Sequence, residues 1–266
     1  MNLQRICSLA LVASLAAACQ PNPEPSDPGQ EPLEQAQHAD DVATLLGSPG
    51  PGWLIPQGSQ LVKDVYAFES KSWLRWAMGL PFSTGPITDT TGAACAQGQA
   101  GPVWYLAGTD GGDVTRSCTL SGHEFIFVPL INHWLTPPAE AVATLADLAD
   151  YLAFVNTYIP DQRAHTCNLA LRLDGAALLP TEAQLDSKLW TQVLQPFPVQ
   201  LDDDNFGSSW GQPGGLSPDA VTAGHYALLR PLPHGSHVLE IGGAICDDDG
   251  AVVFETSAVY HLHVTH

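Results

Sequence analysis

The chain has 266 residues and a formal net charge of −19. Its 9 Lys and Arg residues are too few to cluster on phosphate backbones or anionic lipid heads, so we expect no nucleic acid partner. Abundant Gly and Pro, together with 45% hydrophobic residues, favour short strands joined by turns around a sizeable core.

Residues 1–18 have the pattern of a secretory signal peptide. Arg5 precedes an apolar run from Ile6 to Leu15, and the small residues Ala16–Ala18 follow. The run is too short to span the ~30 Å hydrocarbon core of a bilayer. We therefore expect an exported chain from which residues 1–18 are removed.

The next residues predict an anchor. The segment Leu15–Cys19 resembles a bacterial lipobox, although Leu usually stands where this chain has Ala16. The resemblance implies that Cys19 carries lipid, palmitate included, and holds the protein at the membrane of the bacterial cell envelope, facing the periplasm or the cell surface. The small residues up to Ala18 also fit an ordinary signal-peptidase site, which would release a secreted protein.

Residues 19–40 are rich in Pro, Glu and Gln and lack apolar periodicity. Such a composition cannot form a packed core and predicts a flexible, acidic tether. We expect residues 41–266 to form a single β-rich domain.

Alternating residues predict a first strand at Leu61–Phe68, followed by a short helix with Trp73 and Trp76. One longer helix is predicted from Pro137-Pro138 to Ile159, with Pro160 as its stop. The remaining predicted strands are Val103–Ala107, Val114–Leu120, Glu124–Ile131, Cys167–Leu173, Pro198–Leu201, Tyr226–Leu229, His237–Gly242, Val252–Glu255 and Ala258–Thr265.

Many short strands separated by turn residues, without alternating βαβ units, predict a mostly β fold. The specific expectation is an antiparallel β-sandwich, immunoglobulin-like or jelly-roll-like, with one packed α-helix and two disulfides.

Four cysteines of the mature chain remain for disulfides: Cys95, Cys118, Cys167 and Cys246. Three pairings are possible. We favour Cys95 with Cys118, which would close a local Gly-rich loop, and Cys167 with Cys246, which would tie a middle strand to the C-terminal sheet. No two of these cysteines have the C-x₂-C spacing typical of zinc sites.

Several segments share a recurrent pattern: Trp73-x-x-Trp76, then Asp89, Gly92 and Cys95, then Gly98 to Gly112 with the core Gly-Gln-x-Gly-Pro-Val-Trp, and finally Arg116-x-Cys118. In this pattern the chain resembles a group of secreted, largely uncharacterised bacterial proteins and lipoproteins. The resemblance implies an exported domain in which Cys95 and Cys118 are close. It implies no activity and no catalytic residue.

His261 and His263 fall on one face of the last predicted strand and could offer two imidazoles to a transition metal. A third ligand would have to come from His225 or His237. The plainer interpretation is an exposed polar face opposite an apolar one.

Acidic turns suggest a second ion. Asp247 and Asp249 lie in the run Asp247-Asp248-Asp249-Gly250, where oxygen ligands would suit Ca²⁺. A similar run occupies positions 202–204. Asp-Gly turns also serve hairpins without any metal, so both interpretations stay open.

Gly207-Ser208-Ser209-Trp210-Gly211 matches the G-x-S-x-G motif of serine hydrolases. The motif needs a strand before it and a helix after it, whereas here an acidic run precedes and Pro213-Gly214 follows. Trp134 and Trp210 are candidates for stacking on sugar rings, although core packing is the usual role of tryptophan.

No convergent catalytic set emerges from these patterns. We therefore expect a non-enzymatic envelope or surface module that binds a polar ligand, with Ca²⁺ or a transition metal as candidate ions. The alternative is a secreted metal-dependent or serine hydrolase that uses His261 and His263, or Ser209.

Overall fold

The computed structural model describes residues 38, 40–42, 44–45, 52–208 and 211–266. The predicted signal peptide, Cys19 and most of the predicted tether lie outside these residues. The described chain is mostly β, with two packed sheets, a few helices and two disulfides. No helix in the described part is long and apolar enough to cross a membrane.

Nine strands and three α-helices have defined bounds, and the described residues 38, 40–42 and 44–45 are also helical. The helices are α1 (Gln60–Met78), α2 (Leu145–Ala164) and α3 (Glu182–Leu189), with 3₁₀ turns at Phe82–Thr84 and Ala139–Val142. The strands are β1 (Val103–Tyr105), β2 (Gly112–Ser121), β3 (Phe125–Leu135), β4 (Thr166–Leu173), β5 (Ala176–Ala177), β6 (Trp190–Leu201), β7 (Gly215–Leu229), β8 (Gly235–Cys246) and β9 (Val252–Thr265).

The strands form a four-stranded sheet with the order β1-β3-β7-β6 and a five-stranded sheet with the order β2-β9-β8-β4-β5. Most neighbours are antiparallel, but β1 pairs with β3 and β2 pairs with β9 in parallel. The expectation of wholly antiparallel sheets is therefore wrong. The chain leaves β1 for the other sheet before it returns as β3, and such a crossover permits parallel pairing.

Each face of the four-stranded sheet has a different cover. One face packs against α1, where Phe127 and Tyr226 meet Trp73. The opposite face packs at one end on the five-stranded sheet and at the other end on α2, where Val221 meets Val155. The outer face of β9 in the five-stranded sheet is exposed at alternate residues, as period-two patterning requires.

The predicted strand at Leu61–Phe68 is wrong, because these residues belong to helix α1. The hydroxyl of Ser59 caps the helix by accepting a hydrogen bond from the Val62 N–H at 3.3 Å. Buried residues recur at Val62, Val65, Tyr66 and Glu69, which is helical spacing.

Helix α2 differs from its prediction at both ends. It begins at Leu145 rather than at Pro137-Pro138, because Thr144 and Asp147 form a capping box with bonds of 3.1 and 2.9 Å. Pro160 lies inside the helix, which continues to Ala164. The expectation of a single packed helix is also wrong, since α1 and α3 bury side chains as well.

Both favoured disulfides are present. Cys95–Cys118 joins the loop before β1 to β2, and Cys167–Cys246 joins β4 to β8. Two disulfides indicate an oxidising, extracytoplasmic environment.

Candidate functional site

The predicted histidine pair lies on the outer face of the five-stranded sheet. His261 and His263 are exposed on β9, opposite the buried Tyr260 and Leu262. Their partners on β2 are Ser117 and Thr119. The pair thus shares a face as expected, with hydroxyl neighbours rather than a third ligand.

The predicted calcium residues sit at the other end of β9. Asp247 accepts hydrogen bonds from the N–H groups of Asp249 and Ala251, at 3.0 and 2.8 Å, so its carboxylate closes the β8–β9 turn. His261 is nine residue steps along the strand from Val252, or about 30 Å at ~3.3 Å per residue. The acidic turn and the histidine pair therefore do not converge.

The two remaining histidines have carboxylate partners of their own. His237 Nδ1 lies 2.8 Å from Asp174 and its Nε2 lies 3.0 Å from the Pro233 carbonyl. His225 is fully buried on β7, with Nε2 2.9 Å from Asp186. In the part of the chain that the structure describes, no group of three or more His, Cys, Asp or Glu side chains is arranged to hold a metal ion. Ser209 and Trp210 lie outside the described residues.

Arg116, one residue of the sequence pattern, lies at the centre of a structural clamp. This guanidinium is 1% exposed and donates to the carbonyls of Ile87, Asp89, Ala107 and Gly108 at 2.6–3.1 Å. It also donates to the Tyr260 hydroxyl. A planar fork of five N–H groups is needed for this arrangement, and it ties the loop before β1 to both sheets.

Other pattern residues fasten the same region. Trp73 Nε1 donates to the Leu106 carbonyl at 2.9 Å, and Trp76 Nε1 donates to the Gln97 carbonyl at 2.8 Å. The Gln99 amide bonds the backbone of Tyr105 in both directions, at 2.7 and 2.9 Å. The pattern therefore specifies architecture.

A cleft of about 600 Å³ lies beside the C-terminal half of β3. Its floor is the continuous stretch 132–138, and its walls are helix α2 and the loop before β7. Gln212 holds that loop in place by donating to the carbonyl and hydroxyl oxygens of Thr136, at 2.6 and 2.7 Å. The lining residues are Asn132, His133, Trp134, Leu135, Thr136, Pro137, Pro138, Tyr151, Tyr158, Phe206, Gly211, Gln212 and Pro213.

Three buried side-chain atoms at this cleft have no hydrogen-bond partner among the described residues: Asn132 Nδ2, His133 Nε2 and the Tyr151 hydroxyl oxygen. His133 is only 8% exposed. Burial, reinforced by the nearby His225, lowers its pKa to about 4, so the imidazole is neutral at pH 7. Burial, reinforced by Asp219, raises the pKa of Tyr151, so its hydroxyl keeps its proton.

An ion pair and a buried histidine link the elements beside the cleft. Arg163 on α2 binds Asp186 on α3 in a forked pair at 3.0 and 3.1 Å, and Asp186 in turn binds His225. Burial alone would raise the pKa of Asp186, but its hydrogen bonds from Arg163 and His225 hold it below the ordinary value. This arrangement fixes α2 and α3 against the strand that pairs with β3.

The cleft itself is uncharged and aromatic. None of its described lining residues carries a formal charge at pH 7, given the neutral His133. Trp134, which stood out in the sequence, is a lining residue, but it lies on β3 and not in a loop. Such a site can bind the apolar faces and hydrogen-bonding groups of a neutral polar molecule.

Comparisons of the chain with family models, with curated proteins and with solved structures find no match.

Proposed function

We propose that this chain is a non-enzymatic binding module of the bacterial cell envelope that holds an uncharged, polar ligand in the cleft beside β3. The observation that carries the proposal is the set of partnerless buried atoms at the cleft, above all His133 Nε2 and the Tyr151 hydroxyl. A buried polar group without a partner costs about 1–3 kcal/mol, so a ligand that bonds both would recover that energy on binding.

The proposal also includes the cellular location of the protein. Export, processing before Cys19 and lipidation of Cys19 would place the domain on a tether at the envelope, and the two disulfides support an extracytoplasmic location. The two packed sheets, which share one core, support the assignment to a β-sandwich of the immunoglobulin-like or jelly-roll-like class.

No observation on the described residues, which leave out Ser209, favours the alternative of a metal-dependent or serine hydrolase. His261 and His263 are exposed, and their strand face is far from Asp247. Among the described residues, His133 and His225 are buried, and no Ser or Cys lines the cleft beside them.

The test uses the exported chain and two small neutral probes, N-acetylglucosamine and N-acetylalanine methylamide, in saturation-transfer NMR. We expect at least one probe to receive saturation, and a Tyr151→Phe variant to lose about tenfold in affinity, as one lost hydrogen bond of about 1.4 kcal/mol requires.

Tyr260→Phe is the matched control, because the Tyr260 hydroxyl is buried and bonded to the Ala107 carbonyl. We expect this variant to lower the melting temperature and leave probe binding intact, whereas Tyr151→Phe leaves the melting temperature unchanged or raised. Absence of binding by both probes, or equal binding by wild type and Tyr151→Phe, would contradict the proposal.

A further inference from the structure

The edge of β3 that faces the cleft is open. Strand β1 covers this edge only as far as the pair Tyr105 with Phe127, and one more bond joins the Leu106 N–H to the Phe127 carbonyl. Beyond that point β3 pairs only with β7 among the described residues. The cleft is lined by consecutive residues of β3, whose side chains point to opposite faces, so it runs along the strand edge rather than over a face.

The backbone of this edge points into the cleft. A Cβ placed on Gly224 would lie 2.7 Å from the Ile131 carbonyl oxygen, so that carbonyl points toward β7. The Asn132–Gly224 pair is therefore a closely spaced pair that exchanges no backbone hydrogen bonds. By strand alternation the N–H and C=O groups of Asn132 and Trp134 point away from β7. No hydrogen bond from another described residue reaches them.

We propose that the ligand of the cleft is an extended polypeptide segment, which binds by adding a strand to the edge of β3. This inference rests on the proposed function and names its ligand class. Strand addition satisfies the free backbone groups of Asn132 and Trp134, while pockets beside the edge receive alternate side chains. His133 and Tyr151 supply the polar contacts in the larger pocket.

The groove continues along the edge. A smaller cavity of about 70 Å³ borders β3 from Pro129 to Asn132 and shares Asn132, Trp134 and Phe206 with the cleft. Together the two follow β3 from Pro129 to Leu135, about 20 Å at ~3.3 Å per residue. A linear ligand fits this shape better than a compact one.

Charge restricts the peptide. Asp110 is the one formally charged side chain among the described residues that line the two cavities, and the whole chain carries −19. A peptide segment with uncharged or basic side chains matches this field, whereas an acidic segment is repelled.

The experiment is panning of displayed random peptides of about ten residues, long enough to span the open edge at ~3.3 Å per residue, on the exported chain. Enriched peptides are synthesised in two N-methylated series, one blocking odd-numbered amides and the other blocking even-numbered amides. An added strand uses alternate N–H groups, so we expect one series to lose about tenfold or more in affinity and the other to bind nearly as the parent peptide does.

A matched pair of variants tests the same edge on the protein. Asn132→Pro removes an edge-facing N–H, a position where a strand tolerates proline, whereas Asn132→Ala keeps the N–H. We expect Asn132→Pro to lose at least about tenfold more affinity for the enriched peptides than Asn132→Ala, which reports the contribution of the side chain alone, with circular dichroism confirming both folds. If Asn132→Pro does not fold, the methylated peptides decide with wild-type protein.

Equal tolerance of both methylated series would overturn strand addition and leave the proposed function intact, since side chains alone would then occupy the cleft. Strand addition would also be overturned if panning enriched no peptide on the wild type relative to Asn132→Pro. If that variant does not fold, the bare matrix takes its place in the comparison. The small-probe test with Tyr151→Phe then judges the proposed function separately.

Discussion

Acid should unfold this protein in part through His133. Its imidazole has a pKa of about 4 in the fold, against an ordinary value of 6.5, because burial and His225 disfavour the charged form. Between these two pH values the unfolded chain binds a proton that the folded chain does not. Stability from this group is therefore complete above about pH 6.5 and is lost as the pH falls toward 4.

The expected loss between pH 7 and pH 4 is about 3 kcal/mol, since each pKa unit corresponds to about 1.4 kcal/mol. The groups that face His133 and His225 across the strands and helices are Asp186, Arg163, Glu182 and Tyr151. His225 acts in the same direction, because burial lowers its pKa despite Asp186.

The measurement is urea unfolding at pH 7 and pH 4 of the wild type and of His133→Asn, which keeps a polar side chain but cannot titrate. Carboxylates elsewhere respond to acid equally in both proteins, so the difference between the two pH dependences isolates His133. We expect His133→Asn to lose about 3 kcal/mol less than the wild type. If the two proteins differ by less than about 1 kcal/mol in this loss of stability, His133 is not buried in the neutral form as the structure indicates.

Three further changes test the scaffold. Arg116→Lys should cost about 3 kcal/mol in chemical denaturation, because one ammonium cannot reach the carbonyls that the guanidinium binds; an unchanged midpoint would contradict the clamp. Gly92→Ala should cost about 3 kcal/mol or more, since its Cβ would lie against the Ser117 backbone at a φ of +96°, whereas Gly175→Ala, with φ +78° and open space, should cost only about 1 kcal/mol. Replacing Cys167 and Cys246 by Ser should cost about 4 kcal/mol from the loop of sequence separation 79, and a melting temperature equal to that of wild type would refute this.

Patterns with local physical causes were predictable from the sequence. The alternation in β9 predicted that His261 and His263 share a face, and the structure confirms it, because strand periodicity depends on the backbone alone. Both disulfide pairings are also confirmed.

The error at Leu61–Phe68 shows how a short window misleads. Over eight residues an apolar pattern can fit either period, but from Val62 through Trp73 to Met78 only the helical period persists. The cap at Ser59 was the missed local signal, since a hydroxyl just before an apolar-periodic run starts a helix.

Apart from Trp134, the candidate site could not be predicted from the sequence. In the sequence, His133 is one polar residue at the end of an apolar strand. Tyr151 is one position on an amphipathic helix. Their common property, a buried polar atom without a partner, arises only when α2 packs on β3 and β7. Packing across about 20 residues of intervening chain has no local signature.

The clamp also explains why the edge of β3 is open. At Leu106–Gly108 the chain leaves β3, and there Trp73 and Arg116 bind its carbonyls. The chain then crosses to the other sheet, where the Thr109 N–H bonds the Thr256 hydroxyl at 3.2 Å. Continued pairing of this segment with β3 would cover the edge at Asn132. The same contacts that stabilise the crossover therefore keep this segment away from the edge of β3 at Asn132.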